Sequence, residues 1–202
     1  MDEGVVKYYC EWFKAPPLDQ TLLKPLVKWR QWCFESGLIG QYPNGIGYGN
    51  ISMRRGDGFI ISGTQTGGIA ELEADRYCEV IETDIEKNRL TCQGPIAASS
   101  EGLTHAMFYR LDPDIGGVIH VHHRAKWESL LNRIPTSVPN IPYGTPEMAR
   151  EIERLWNKTN LPKERIVAME GHEEGIIAFG NDLDEAGRVL DEWRSATVDD
   201  GK

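Results

Sequence analysis

Two tight hairpins, placed ahead of an alternating helix–strand pattern, constrain this chain more than any other feature. "NISMRRGDGFIISG", residues 50–63, reads as two strands joined by a turn at Gly56-Asp57-Gly58. "YCEVIETDIEKNRLTCQG", residues 77–94, reads as a second hairpin. Hairpins build antiparallel ladders, which argues against a purely parallel sheet. Downstream, "SSEGLTHAMFYRL" reads as a helix, "GGVIHVHH" as a strand and "RAKWESLLN" as a helix. The proline-rich run 135–142 is extended. "TPEMAREIERLWNKT" is an amphipathic helix capped by Thr145, with Pro146 at the favoured first position. "RIVAM" and "GIIAFG" are short strands around the turn "EGHEEG", and "DLDEAGRVLDEWRSA" is a closing helix. Upstream, "LDQTLLKPLVKWRQWCFESG" has helical spacing, with Asp19 as N-cap, Gly37 as stop and Pro25 in its early turns. "YPNGIGYGN" is turn chemistry, and "TQTGG" a flexible loop. Hairpins interleaved with helices predict an α/β fold: a single three-layer αβα domain around a mixed, largely antiparallel sheet.

The predicted boundaries are a lead-in over 1–17 ending in Pro16-Pro17, one domain over 18–196 and a short frayed tail over 197–202. A net charge of −9 disfavours nucleic acid or an anionic membrane as partner. The four cysteines, Cys10, Cys33, Cys78 and Cys92, form no C-x-x-C pair and read as packed, reduced thiols. No basic–apolar leader and no membrane-length apolar run is present, so the expected location is the cytoplasm.

Three of the chain's five histidines fall within four positions, 120 to 123. On a strand, His120 and His122 point one way and His123 the other. Two imidazoles on one strand face suit a metal pair, although packed histidines give the same pattern. His172, in a turn between two strands, is placed to supply a third ligand. Glu101 follows Ser99-Ser100 at a helix start, where a carboxylate also complements the helix dipole. His105, one turn on, shares its face, as a supporting contact or as an exposed pair. His123 reads as structural or surface. The spacing does not fit H-x-H-x-D-H, since Arg124 and Ala125 follow, and the cysteine pairs of a zinc finger are missing.

Four pieces, taken in order, resemble the class II aldolase/adducin family: "GNISMR", "FIISGTQTGG", "SSEGLTH" followed by "PDIGGVIHVHH", and "AMEGHEEGIIAFG". The resemblance spans roughly residues 20–195. It implies that His120, His122 and His172 are ligands to a divalent metal, first of all Zn2+, and that Glu101 is the catalytic acid/base. It also implies a substrate-phosphate pocket lined by Gly49, Asn50, Ser99 and Ser100, with Thr64 or Thr66-Gly67 from the loop. The implied protein is a cytoplasmic, homotetrameric lyase of carbohydrate metabolism acting on a small hydroxy-carbonyl substrate, sugar-phosphate-like, through a metal-stabilised enediolate. Dehydration, decarboxylation and epimerisation pass through the same kind of intermediate, and adducin-type members use the fold as an interaction module.

Three departures stand out. The family's third histidine is followed by Gly, whereas Glu173 and Glu174 follow His172 here and read as solvated turn residues. The segment 132–146 is shorter than the stretch that delivers a tyrosine to a neighbouring site in the aldolases, and Tyr143 is not assigned that role. The tail after Ala196 is short, and in the aldolases the tail helps close the pocket.

Overall fold

A computed structural model describes residues 6–195. The tail assigned to 197–202 lies outside the described residues. The elements run β1 (Tyr9–Lys14), α1 (Gln20–Glu35), β2 (Gly40–Gln41), β3 (Gly47–Tyr48), β4 (Asn50–Arg55), β5 (Gly58–Ser62), β6 (Tyr77–Asp84), β7 (Arg89–Gly94), α2 (Gly102–Leu111), β8 (Gly117–His122), α3 (Arg124–Leu130), α4 (Pro146–Lys158), α5 (Leu161–Glu164), β9 (Ile166–Ala168), β10 (Gly175–Gly180) and α6 (Leu183–Ser195). Eight strands form one sheet in the order β1-β7-β6-β5-β4-β8-β10-β9. Of its strand pairs among the described residues, only β1–β7 is parallel. Among the described residues no helix is long and apolar enough to cross a membrane.

Strand alternation divides the core into two layers, one on each face of the sheet. Phe59, Ile61, Val118, Ile177 and Phe179 pack with α2 and α4. Their neighbours Ile60, Ile119, Val121, Ile176 and Ala178 pack with α1 and α6. The result is the expected αβα arrangement. β8 is buried at every position because both of its faces are covered. His120 and His122 share the parity of Val118, so they face the α2 side.

The helix ends follow the sequence signals. Asp19 accepts from Thr21 N–H at 2.7 Å, and Thr145 accepts from Met148 N–H at 3.3 Å ahead of Pro146. Gly37, at φ +69°, turns the chain out of α1. Pro25 sits inside α1 without ending it. Two readings change. The lead-in 1–17 contains β1, an edge strand paired in parallel with β7 from Tyr9–Arg89 to Lys14–Gly94. The "YPNGIGYGN" turn includes the two-residue strand β3, which pairs with β2. The four cysteines are free thiols.

Candidate metal centre

β8 and β10 pair antiparallel, with Gly175 opposite His122 and Ile177 opposite His120. The turn between β9 and β10 is closed by Met169 N–H to Gly175 O (2.9 Å), His172 N–H to Met169 O (3.1 Å) and Gly175 N–H to His172 O (2.8 Å). That register carries His172 to the end of β8 where His120 and His122 stand. The three ring centroids lie 4.7 to 4.9 Å apart. One nitrogen from each ring lies within 4.8 Å of the others, and all three residues are buried.

Glu101 comes from the helical layer that His120 and His122 face, at the residue before α2. Its side chain is buried, with Oε2 3.5 Å from His120 Nδ1 and Oε1 3.4 Å from His172 Nδ1. β4 contributes Asn50, paired in register with His120 and holding Nδ2 3.3 Å from His120 Nδ1. Gly49 precedes it at φ +77°, where a Cβ would stand 3.1 Å from the His120 carbonyl oxygen and 2.6 Å from Ile39. Only glycine takes this backbone without strain and allows so close an approach.

Ser99 and Ser100 are buried just ahead of Glu101. Tyr8 O–H donates to the Ser99 carbonyl at 2.7 Å, and Gly144, at φ +66°, packs against the Ser100 carbonyl. The Thr/Gly loop runs beside this segment: Gly63 bridges Ala98, and Thr64 N–H donates to Ala97 O at 3.0 Å. Thr66 O–H donates to Gly63 O at 2.8 Å, and Gly67 packs against β2 and β3. Gly49, Asn50, Glu101 and the three histidines therefore meet at one end of β4 and β8, with Ser99 and Ser100 adjoining Glu101 in the chain and Thr64 bonded to the segment that leads into it.

Burial sets the electrostatics. Loss of hydration holds His120 and His122 well below the ordinary histidine pKa, and neighbouring imidazoles reinforce the shift. Neutral imidazoles keep a lone pair for a metal at neutral pH. His120 Nε2 is buried with no hydrogen-bond partner among the described residues. The imidazoles of His120 and His122 and that of His172, crowded around one point beside a carboxylate, fit a divalent cation, which would take up ring lone pairs and sit against the carboxylate.

Several readings are refined. His105 is fully buried rather than exposed, with Nδ1 2.6 Å from Ser52 Oγ, which lies 2.7 Å from Tyr109 OH. His123 is structural, as expected: it caps α3, its Nδ1 accepting from Lys126 N–H at 3.4 Å. Glu174 is not a solvated turn residue: it accepts from Tyr42 O–H at 2.8 Å and pairs with Arg124 at 2.8 Å. Tyr143 stacks on His172 of its own chain, centroids 4.4 Å apart.

Sequence reasoning missed Tyr42, whose OH lies 2.9 Å from His122 Nδ1, and Arg30. Arg30 is buried and donates to the carbonyls of Thr66, Gly67 and Ala70, so it fixes the Thr/Gly loop from below. A signal for Arg30 existed: it occupies the buried stripe of α1 with Leu23, Leu26 and Cys33. Tyr42 lies in a turn, and nothing periodic marks it.

The family model described as the Class II Aldolase and Adducin N-terminal domain matches residues 44–196. Solved structures share the fold. L-fuculose-1-phosphate aldolase from Thermus thermophilus is 21% identical, with a TM-score of 0.64 over 87% of this chain and 90% of that one. Sugar-phosphate aldolase from Thermotoga maritima is 16% identical, with a TM-score of 0.61 over 87% and 91%. An aldolase II superfamily protein from Pseudomonas syringae is 15% identical, with a TM-score of 0.62 over 84% and 70%. No curated protein sequence matches the chain. With the family model covering three quarters of its length, from the turn ahead of β3 to the end of α6, this chain belongs to the class II aldolase and adducin family.

Proposed function

We propose that the protein is a metal-dependent, aldolase-type lyase acting on a small hydroxy-carbonyl substrate, sugar-phosphate-like, with His120, His122 and His172 as ligands and Glu101 as the acid/base. The observation that carries this reading is the buried Glu101 carboxylate, 3.4 to 3.5 Å from two of three convergent histidines. When bound, a divalent ion would supply Lewis-acid polarisation of the substrate's carbonyl and adjacent hydroxyl oxygens. Zinc is the first choice for an all-imidazole set.

The chain's own residues do the rest. Glu101, held over the histidines by the start of α2, takes a proton from the carbon beside the carbonyl, or returns one to it. Burial excludes competing water from that transfer. Asn50 orients the His120 ring through its side-chain amide. Ser99 and Ser100, at the α2 N-terminus, would hold an anionic end of the substrate, with Gly49 giving the backbone room. Because the Thr66 proton is committed to Gly63, Thr66-Gly67 would offer backbone N–H groups, and Thr64 its hydroxyl. Carbon–carbon cleavage is the first reading of the reaction. Dehydration, decarboxylation and epimerisation need the same proton transfer. A homo-oligomer, a tetramer by family resemblance, would complete the pocket, and sedimentation at the 22.8 kDa of one chain would exclude it.

The test is exchange of solvent deuterium into the carbon beside the carbonyl of hydroxy-ketose phosphates and their non-phosphorylated analogues, with product analysis for cleavage. Metal-loaded wild type should exchange or cleave, and Glu101→Gln should do so ~10²–10⁴-fold more slowly with its metal retained. A metal-loaded wild type that converts every such compound by a route leaving that carbon untouched would end the proposal. Metal binding with no turnover at all would favour the interaction-module reading.

A further inference from the structure

We propose that Glu174 and Tyr42 form a relay that fixes His122 as an Nε2 ligand, so that the glutamate standing in a turn of this chain tunes metal affinity. This rests on the metal-centre reading above and adds residues that neither motif nor resemblance assigned. The hydrogen bonds run in one direction only. Glu174 Oε2 lies 2.8 Å from Tyr42 OH, and a carboxylate only accepts. Tyr42 therefore spends its single proton on Glu174. The 2.9 Å contact between Tyr42 OH and His122 Nδ1 then requires Nδ1–H to donate to the phenol oxygen. That selects the tautomer whose lone pair sits on Nε2, the buried ring nitrogen.

Each further link is also held. Arg124 Nε lies 2.8 Å from Glu174 Oε1, so the carboxylate is anchored through one oxygen while the other serves Tyr42. Tyr48 packs against both the Tyr42 and His122 rings, with centroids 4.6 and 5.3 Å away. The neighbouring Glu173 also meets Arg124, at 2.7 Å, but its side chain is 49% exposed against 16% for Glu174.

The backbone supplies an independent argument. Glu174 has φ +69°, a left-handed conformation that favours glycine. A turn that needed only to reverse direction would place glycine there. Backbone strain retained at a site residue points to use of its side chain, and this side chain reaches a candidate ligand through one phenol. Carboxylate support of a histidine's second nitrogen is a general way to raise ligand basicity and fix the ring.

The experiment measures Zn2+ affinity by chelator competition, alongside thermal unfolding of the metal-free proteins. Glu174→Gly removes the carboxylate and relieves the left-handed strain. Its metal-free form should unfold no earlier than wild type, while Zn2+ affinity falls ~10–100-fold. Tyr42→Phe should fall by a similar factor, and the double variant no further than either single one. Glu174→Gln, which keeps an acceptor oxygen for Tyr42, should stay close to wild type. In the zinc-loaded protein the His122 Nδ1 proton should give a slowly exchanging NMR signal that Tyr42→Phe loses. Zinc affinities in Glu174→Gly and Tyr42→Phe equal to wild type would overturn the relay and leave the metal centre standing. A wild type that binds no Zn2+ overturns the metal centre itself, and the relay with it.

Discussion

Two groups of buried histidine lie on the same face of the sheet, and they differ in kind. His105 sits in a hydrogen-bonded chain: its Nδ1 meets Ser52 Oγ at 2.6 Å, and that hydroxyl meets Tyr109 OH at 2.7 Å. His120, His122 and His172 instead face one another, with ring centroids 4.7 to 4.9 Å apart and a carboxylate between two of them. Burial lowers the pKa of His105 as it does those of His120 and His122. Depth and basicity therefore do not separate a packing histidine from a ligand. Mutual arrangement does, because three imidazoles gathered around one point beside a carboxylate are stable chiefly with a cation between them.

The strongest way to break this comparison is to remove the convergence. His120→Ala with His122→Ala should abolish divalent metal binding, measured as metal per chain after mild purification, against a metal-containing wild type. Chelation of wild type should lower its thermal unfolding temperature, since a ligand at a hundredfold excess over its dissociation constant stabilises by about 2.7 kcal/mol. The double variant should not respond to the chelator at all. Next in size is Glu101→Gln, with its ~10²–10⁴-fold loss of turnover at unchanged metal content.

His105→Gln probes the other group. It should keep the metal and lower stability by about 1–3 kcal/mol, read from urea unfolding, because Ser52 and Tyr109 lose a well-placed partner. Its pH dependence sharpens the contrast. Burial depresses the His105 pKa from the ordinary 6.5 to about 3. The unfolded chain then binds the extra proton first. The stability due to neutral His105 is complete above pH 6.5 and drains away as pH falls toward 3. The Gln variant, unable to titrate, should lose stability less steeply across that window than wild type. Smallest is His123→Ala, which removes a long capping contact and an edge-on ring contact with Trp193. It should cost about 0.5 kcal/mol and leave metal content alone.

Local periodicity was readable without coordinates. A strand repeats every two residues, so His120 and His122 had to share a face and His123 had to leave it. Asp19, Gly37 and Thr145-Pro146 marked helix ends, because capping chemistry acts over two or three residues. The two hairpins were legible for the same reason, and with them the antiparallel character of the sheet. Long-range pairing was decided only in three dimensions. The β8–β10 register, which sets His172 beside His122, depends on the choice of strand neighbours across some fifty residues, and no local signal encodes it. The parallel docking of β1 on β7 is another such choice, made between segments about eighty residues apart. Glu174 looked like a solvated turn residue because its partners, Tyr42 and Arg124, come from elements 132 and 50 residues earlier in the chain. A side chain's partner is a property of the fold that surrounds it, so the residue types and their facing were set by the sequence, whereas the convergence of three histidines, a carboxylate and a tyrosine was set by packing.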